Sequence, residues 1–297
     1  MREAPIKVQA RQPGALRGFG IRALTALVMG TVVIVGDVWG GMFGWALVVA
    51  LMAVPCAIEF YTIVRTERRK PNEVFGVIAV AAMPFAAAVY ATVLGPATGA
   101  STHSQSGAVG LSAVVAGLVV AALVWHILFK QVTTSDTAST VFGALYVGFT
   151  LSHLVLLRAL DAGVELVVIA LVSVWAMDVF AYLVGSSIGR HRMAPHISPK
   201  KSWEGFAAGL VGTVTAWGVG WWITRSALPL WWFLLTGFVV AGAALLGDLA
   251  ESRLKRETGV KDSGRWFPGH GGFLDRFDSV IMVSIVVYYM LVFGGAR

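Results

Sequence analysis

Charge is scarce in this chain of 297 residues: only 13% are Asp, Glu, Lys or Arg, about half of the ~25% usual in soluble domains. One cysteine, Cys56, excludes an intrachain disulfide framework. Its place in an apolar run reads as a small buried or lipid-facing hydrophobe. There is no low-complexity tract, no internal repeat and no polar linker of the kind that separates soluble domains. The missing charge excludes an ordinary water-soluble domain of this length, whatever its partners. A net charge of +7 would suggest nucleic acid in a soluble chain; in a lipid-solvated chain it asks where the cations sit, and no nucleic-acid partner is expected.

What is abundant is apolar: 57% of residues are hydrophobic, and the mean hydropathy is +0.76. A bilayer core of about 30 Å takes roughly 20 apolar residues per helix. The sequence offers about nine such stretches, near 20–37, 40–63, 75–96, 107–129, 138–158, 163–184, 205–224, 230–249 and 277–295. The first two form a broken hairpin turning at Gly40 and Gly41. The basic, polar segment up to Arg17 precedes an apolar run as a signal peptide would, but no small-residue cleavage site follows. It is read as leading into a retained helix. The expected fold is therefore all-α: a polytopic helical bundle of about nine transmembrane helices forming one membrane domain over 1–297. Residues 1–174 supply N-terminal helices, and residues 175–297 the catalytic region.

The cations fix the expected orientation. With nine spans and a cytoplasmic N-terminus, all but Arg158, Arg225 and Arg297 of the 23 Lys and Arg fall inside, as the positive-inside rule demands. The C-terminus is then outside. The segment 97–106 carries no Lys or Arg, as an external loop should. The cluster Arg65, Arg68, Arg69 and Lys70 sets topology. Trp221, Trp222, Trp231 and Trp232 are placed at the outer interface.

Two inner loops are rich in polar residues, about 185–204 and 250–276. The second reads SRLKRETGVKDSGRWFPGHGGFLDRFDS from Ser252 to Ser279. Cations suit phosphate oxygens, and glycines let backbone N–H groups approach an anion. Asp275 and Asp278, one helical turn apart, can share a face and hold Mg²⁺. Asp248, Glu251 and Ser252 share a face likewise. The first loop contains Ser198-Pro199-Lys200-Lys201-Ser202-Trp203-Glu204-Gly205. It follows Asp178 and Tyr182 at the inner end of the sixth span. An acidic residue within a membrane helix is costly and functional by default. Nine-span topology brings Asp178, Asp248, Asp275 and Asp278 to one face, the face of the cations. That describes a metal-dependent site for a polyanion at the cytoplasmic interface, and it does not choose the substrate. Glu59, near the inner end of span two, is left open between a structural residue and a pocket wall. His126 and His153 are assigned to packing.

The C-terminal run resembles the signature of the phosphatidate cytidylyltransferase family: Ser252, Lys255-Arg256, Lys261-Asp262, Pro268, His270-Gly271-Gly272 and Asp275-Arg276-Phe277-Asp278. Asp178 with Ala181-Tyr182 and Gly185 is also similar to the family, as is the Ser198 to Gly205 run. The detailed likeness covers roughly 175–279; the first 170 residues match in hydropathy only. The resemblance implies transfer of the cytidylyl group of CTP to phosphatidic acid, giving CDP-diacylglycerol and pyrophosphate in the inner (plasma) membrane of a bacterial cell. It implies Mg²⁺, with K⁺ as a second cation, and puts the metal ligands on Asp248 and Asp275, with Ser252 completing the set. Lys255, Arg256, Lys261 and Arg276 are implied as holders of the triphosphate or the lipid phosphate. Asp178, Asp278 and His270 are further catalytic candidates, His270 either touching phosphate or shaping its turn. Ser198, Lys200, Lys201, Ser202, Tyr182, Gly271 and Gly272 are the substrate-binding candidates. A homodimer is compatible with this reading.

Two other functions stay open at this point. A CTP-dependent lipid (polyprenol) kinase would use the same loops but transfer the γ-phosphate. A transporter of a phosphorylated solute would need a polar path across the midplane, whereas the polar groups here crowd on one face.

Overall fold

The computed structural model describes residues 30–65, 69–94, 103–260, 262–264 and 271–296. Nine helices are seen among them: α1 (Gly30–Trp39), α2 (Gly41–Arg65), α3 (Glu73–Val89) with a π-helical end at Tyr90–Leu94, and α4 (His103–Leu128). Then follow α5 (Thr134–Arg158), interrupted by π-helix at Ala144–Phe149, α6 (Gly163–Ile188), α7 (Trp203–Thr224), α8 (Leu230–Glu257) and α9 (Leu274–Gly294). Eight of these are long and apolar enough to span a membrane; α1 is the short one. Residues 20–29 of the expected first span lie outside the described residues. The expected break at Gly40 and Gly41 is present, with Gly41 in the left-handed region (φ 59).

Local chemistry explains where the helices start. Thr133 and Asp136 form a reciprocal capping box at the start of α5, satisfying N–H groups that have no intrahelical partner. Asn72 caps α3 by accepting the Phe75 N–H at 3.1 Å. Ser202 caps α7 by accepting the Gly205 N–H at 3.2 Å.

Helices α2 and α5 are the most buried of the spans, tied by Trp45 Nε1 donating to the Leu154 carbonyl at 3.0 Å and Tyr61 Oη to the Thr140 carbonyl at 2.7 Å. Both histidines pack as expected: His153 is buried with Nδ1 2.8 Å from the Phe149 carbonyl, and His126 Nδ1 lies 3.1 Å from Thr137 Oγ1. Far from the basic loops, Arg158 Nε pairs with the buried Asp37 at 3.0 Å and pins α1 to α5. Of the four tryptophans assigned to the outer interface, Trp222 and Trp231 are exposed, while Trp221 and Trp232 are half-buried and donate to the Leu228 and Met290 carbonyls at 2.8 Å each.

Helix α7 presents glycines to α6. Gly205, Gly209, Gly212 and Gly220 are buried and face Ala181, Met177, Phe180 and Ile169 respectively. In lipid, where no hydrophobic force drives helices together, small residues permit the close approach that packing needs. A Cβ at Gly205 would stand 2.8 Å from the Ala181 carbonyl oxygen, which as backbone cannot swing away. Gly205→Val is therefore expected to lower stability by about 1–3 kcal/mol or more. This will read as a lower thermal midpoint in detergent, and an unchanged midpoint would contradict the close crossing.

Two boundaries differ from expectation. The stretch 250–276 is not loop from its start: α8 continues through Glu251, Ser252, Lys255 and Arg256 to Glu257. The stretch 185–204 finishes α6 at Ile188 and then makes an antiparallel hairpin, β1 (Arg192–Ala194) with β2 (Ser198–Ser202). Hydropathy falls at the bilayer edge, but helical hydrogen bonding does not, and straight-chain Glu, Arg and Lys propagate a helix well.

Candidate active site

Four elements converge at the basic end of the bundle: the end of α6, the hairpin, the end of α8 and the start of α9. Asp248, Glu251, Ser252 and Lys255 fall at i, i+3, i+4 and i+7 of α8, which is one face. That face meets α9, running the other way, at very close range. A Cβ at Gly247 would stand 3.0 Å from the Ser279 Cα and closer to the Asp278 carbonyl oxygen. Gly247 therefore lets the two backbones touch beside Asp248 and Asp278.

The result is two tiers of carboxylates. In the deeper tier, Asp178 (α6), Asp248 (α8) and Asp278 (α9) lie near enough for their charges to act on one another. Lys201 from β2 offsets them, with Nζ 2.6 Å from Asp248 Oδ2. Ser252 Oγ donates to Asp248 Oδ1 at 3.1 Å. Arg276 lies close enough to Asp178 to act on its charge. In the shallower tier, Lys255 Nζ bridges Glu251 Oε2 and Asp275 Oδ1, each at 2.6 Å. Asp275 Oδ2 accepts the N–H groups of Ser263 at 3.0 Å and Gly272 at 2.8 Å.

Asp275 and Asp278 are thus three residues apart but serve different tiers, which differs from the shared metal face expected of them. Asp275 is turned to Lys255 and the loop amides, Asp278 to the Asp178–Asp248 pair. Gly271 adopts a left-handed φ of 83, and a Cβ there would overlap Asp275 Oδ2, so this turn requires glycine.

Beside the deeper tier opens a cavity of about 520 Å³. Asp178, Asp248, Ser198, Lys200, Lys201, Ser202 and Tyr182, all expected at the site, line it. Met177, Phe206 and Leu245 give it an apolar wall. Tyr182 is 73% exposed and stands at its rim. Asp275, Lys255, Arg256, Gly271 and Gly272 are not among its lining residues. Arg256 instead reaches the hairpin, with Nε 3.5 Å from the Ile197 carbonyl. Lys261 and His270 lie outside the described residues.

Sequence reasoning passed over Arg192, which lines the cavity and braces the hairpin by donating to the Lys200 carbonyl at 3.1 Å. It also left Glu59 undecided. The signal for Arg192 was its closeness to the Lys200–Lys201 pair across a turn; the signal for Glu59 was a carboxylate inside a membrane helix.

Among the described residues, no three His, Cys, Asp or Glu side chains converge as a ready-made metal cage. The donor set still fits a hard cation. Asp248 and Ser252 offer oxygen only, and Asp248 faces a cavity lined with cations. Mg²⁺ is usually held by one or two carboxylates plus substrate phosphates and water. Asp275 already accepts three hydrogen bonds and shares a fourth with Glu251, which fills the lone-pair sites of a carboxylate, about four in all; a cation there would take the place of one of these partners.

Fold and site together define a polytopic helical membrane protein with a cation-rich, carboxylate-lined pocket at one end of its bundle. The chain matches the pattern of the cytidylyltransferase family over residues 20–293 and belongs to that family. It is 37% identical over 199 residues to the phosphatidate cytidylyltransferase of Mycobacterium bovis, covering 62% of this chain and 65% of the relative. It is 37% identical over 171 residues to that of Bacillus subtilis, covering 57% and 64%. With the protein of that name from Synechocystis it shares 35% identity over 208 residues, covering 58% and 68%. The chain thus spans just under two thirds of the mycobacterial and Bacillus relatives it matches.

Proposed function

We propose that this chain transfers CMP from CTP to phosphatidic acid, forming CDP-diacylglycerol and pyrophosphate at the cytoplasmic face of the bacterial inner membrane. The observation that carries this reading is the mixed lining of the cavity. Lys200, Lys201, Arg192, Asp178 and Asp248 share its walls with Met177, Phe206 and Leu245. Such a surface suits an amphiphile whose phosphate reacts while its chains stay in lipid. The names of the relatives point to the same substrate.

A phosphate oxygen of phosphatidic acid attacks the α-phosphorus of CTP. A new P–O–P bond forms, the bond from the α-phosphorus to the bridging oxygen breaks, and pyrophosphate leaves with that electron pair. A phosphate monoester is already nucleophilic near neutral pH, so no strong general base is required. Positioning and charge neutralisation supply the rate. Lys200, Lys201 and Arg192 draw the polyanions into the cavity and hold their oxygens. Lys255 in the shallower tier, Arg256 beside the hairpin and Arg276 near Asp178 add the positive charge that accommodates the leaving pyrophosphate. Asp248 and Ser252 would hold Mg²⁺, with Asp275 reaching in from the shallower tier as the third ligand, and K⁺ is the second cation of this reading. Bound metal would neutralise phosphate charge and stabilise the leaving group.

The test uses purified protein with Mg²⁺, phosphatidic acid vesicles and CTP labelled at either the α- or the γ-phosphate. Label from α-labelled CTP should enter the lipid phase and label from γ-labelled CTP should not. The reverse pattern would identify a lipid kinase, and no label in lipid from either would sink both readings.

A further inference from the structure

Glu59 sits on α2, 204 residues before Ser263 and 214 before Phe273, yet it is built into the turn that carries Asp275. Its side chain is 3% exposed, and burying a carboxylate in a membrane bundle is costly unless it is fully bonded. Both oxygens are used. Oε1 accepts the Phe273 N–H at 3.0 Å, while Oε2 accepts the Leu274 N–H at 2.9 Å and the Ser263 hydroxyl at 2.8 Å.

The two amides are the first of α9. At a helix start such groups have no partner of their own, and a side chain just before the helix usually supplies one. Here Phe273 occupies the N-cap and provides no side-chain cap, so the cap comes from another helix. A negative charge also suits the positive end of the helix dipole.

Ser263 joins this cap to Asp275. Its hydroxyl donates to Glu59 and accepts the Asp275 N–H at 3.3 Å, while its own N–H donates to Asp275 Oδ2 at 3.0 Å. Gly264 and Gly272 abut the Glu59 carboxylate so closely that a Cβ on either would overlap it. The carboxylate is thus confined on several sides, and each partner it holds lies within two residues of Asp275 or bonds to it.

We propose that Glu59 is a positioning residue: from α2 it fixes Ser263 and the 271–275 turn, and so sets the direction in which Asp275 presents its carboxylate to a cation–phosphate complex. The inference rests on the cytidylyltransferase reading above. It assigns Glu59 no contact with substrate.

Glu59→Gln keeps the shape but replaces one acceptor oxygen by a donor, which must face N–H or O–H groups. Two readouts are compared with the wild type in detergent micelles. Backbone amide exchange over residues 271–275 should accelerate by about tenfold or more, as loss of a hydrogen bond to a charged group does. The Mg²⁺ concentration for half-maximal transfer should rise by about 10- to 100-fold, the usual effect of removing a group that orients a metal ligand. KM for CTP at saturating Mg²⁺ should stay within about threefold, because in this reading the metal site and not nucleotide binding is disturbed. Ser263→Ala, which leaves the buried charge in place, should shift both readouts in the same direction by less; it decides the matter alone if Glu59→Gln does not fold. Unchanged exchange, or faster exchange with an unaltered Mg²⁺ response, overturns the proposal. A wild type that transfers no label to lipid refutes the transfer reading itself, and the exchange comparison then still decides whether Glu59 fixes the turn.

Discussion

Asp248→Asn should cut the initial rate of CMP transfer by about 10²- to 10³-fold, the range seen when one preorganised charge-stabilising group is removed. Its thermal midpoint in detergent should stay within a few degrees of wild type. The two halves of this expectation come from the same geometry. Asp248 is one of three carboxyl groups crowded in the deeper tier, so removing its charge relieves that crowding and offsets the lost pairing with Lys201. Asparagine keeps an oxygen that can accept from Ser252, so the local hydrogen bond survives. What is lost is the anion facing the cavity, the group proposed to hold a divalent cation against phosphate. Parallel measurement of α-labelled CTP incorporation and thermal melting checks both halves. A rate near that of wild type at saturating Mg²⁺ would remove Asp248 from the mechanism. A collapse of the midpoint would make its role structural.

Lys255→Met is expected to be the most destabilising single change near the site. Lys255 Nζ holds Glu251 and Asp275 at 2.6 Å each, and the three side chains are 13%, 1% and 9% exposed. Removing one partner of a buried ion pair costs about 3–5 kcal/mol, because the remaining charges are left uncompensated. For a chain of this size that corresponds to a fall on the order of 10 °C in thermal midpoint. Methionine fills much of the same volume, so the loss would come from charge rather than from a cavity. Adding Glu251→Gln to Lys255→Met sets an amide that can donate to Asp275 in place of a second carboxyl group and should recover part of the fall. If Lys255→Met melts with wild type, the bridge contributes nothing and the shallower tier is held by its backbone amides alone.

Much of this architecture could be read from residue order, for reasons that are physical. Lipid solvation forces long apolar helices, so the spans were legible as hydropathy. Alternation of those spans carried Asp178, Asp248, Asp275 and Asp278 to one end of the bundle, where the structure places them. The division of those carboxylates into tiers was not legible. It depends on the antiparallel register of α8 against α9, set by the backbone contact at Gly247. The polar face of α8 beyond Asp248 reads as loop in the sequence, because hydropathy falls there while the helix continues. The hairpin was missed for a different reason: its strands are short and polar, and their pairing owes more to the end of α6 and the start of α7 than to strand propensity. Glu59 was visible as an oddity, but its partners lie more than two hundred residues away, beyond any spacing argument.

The 28 residues of α8 amount to roughly 42 Å of helix at 1.5 Å per residue, against a hydrocarbon thickness of about 30 Å. That surplus is enough to hold Glu251, Ser252 and Lys255, all in the last turns of α8, on a rod instead of a tether. For the proposed reaction, the height at which phosphates meet is then a property of peptide geometry, adjustable only in whole-residue steps. In the proposed reaction it is the lipid headgroup that must climb to the metal, since the rod cannot bend down to fetch it.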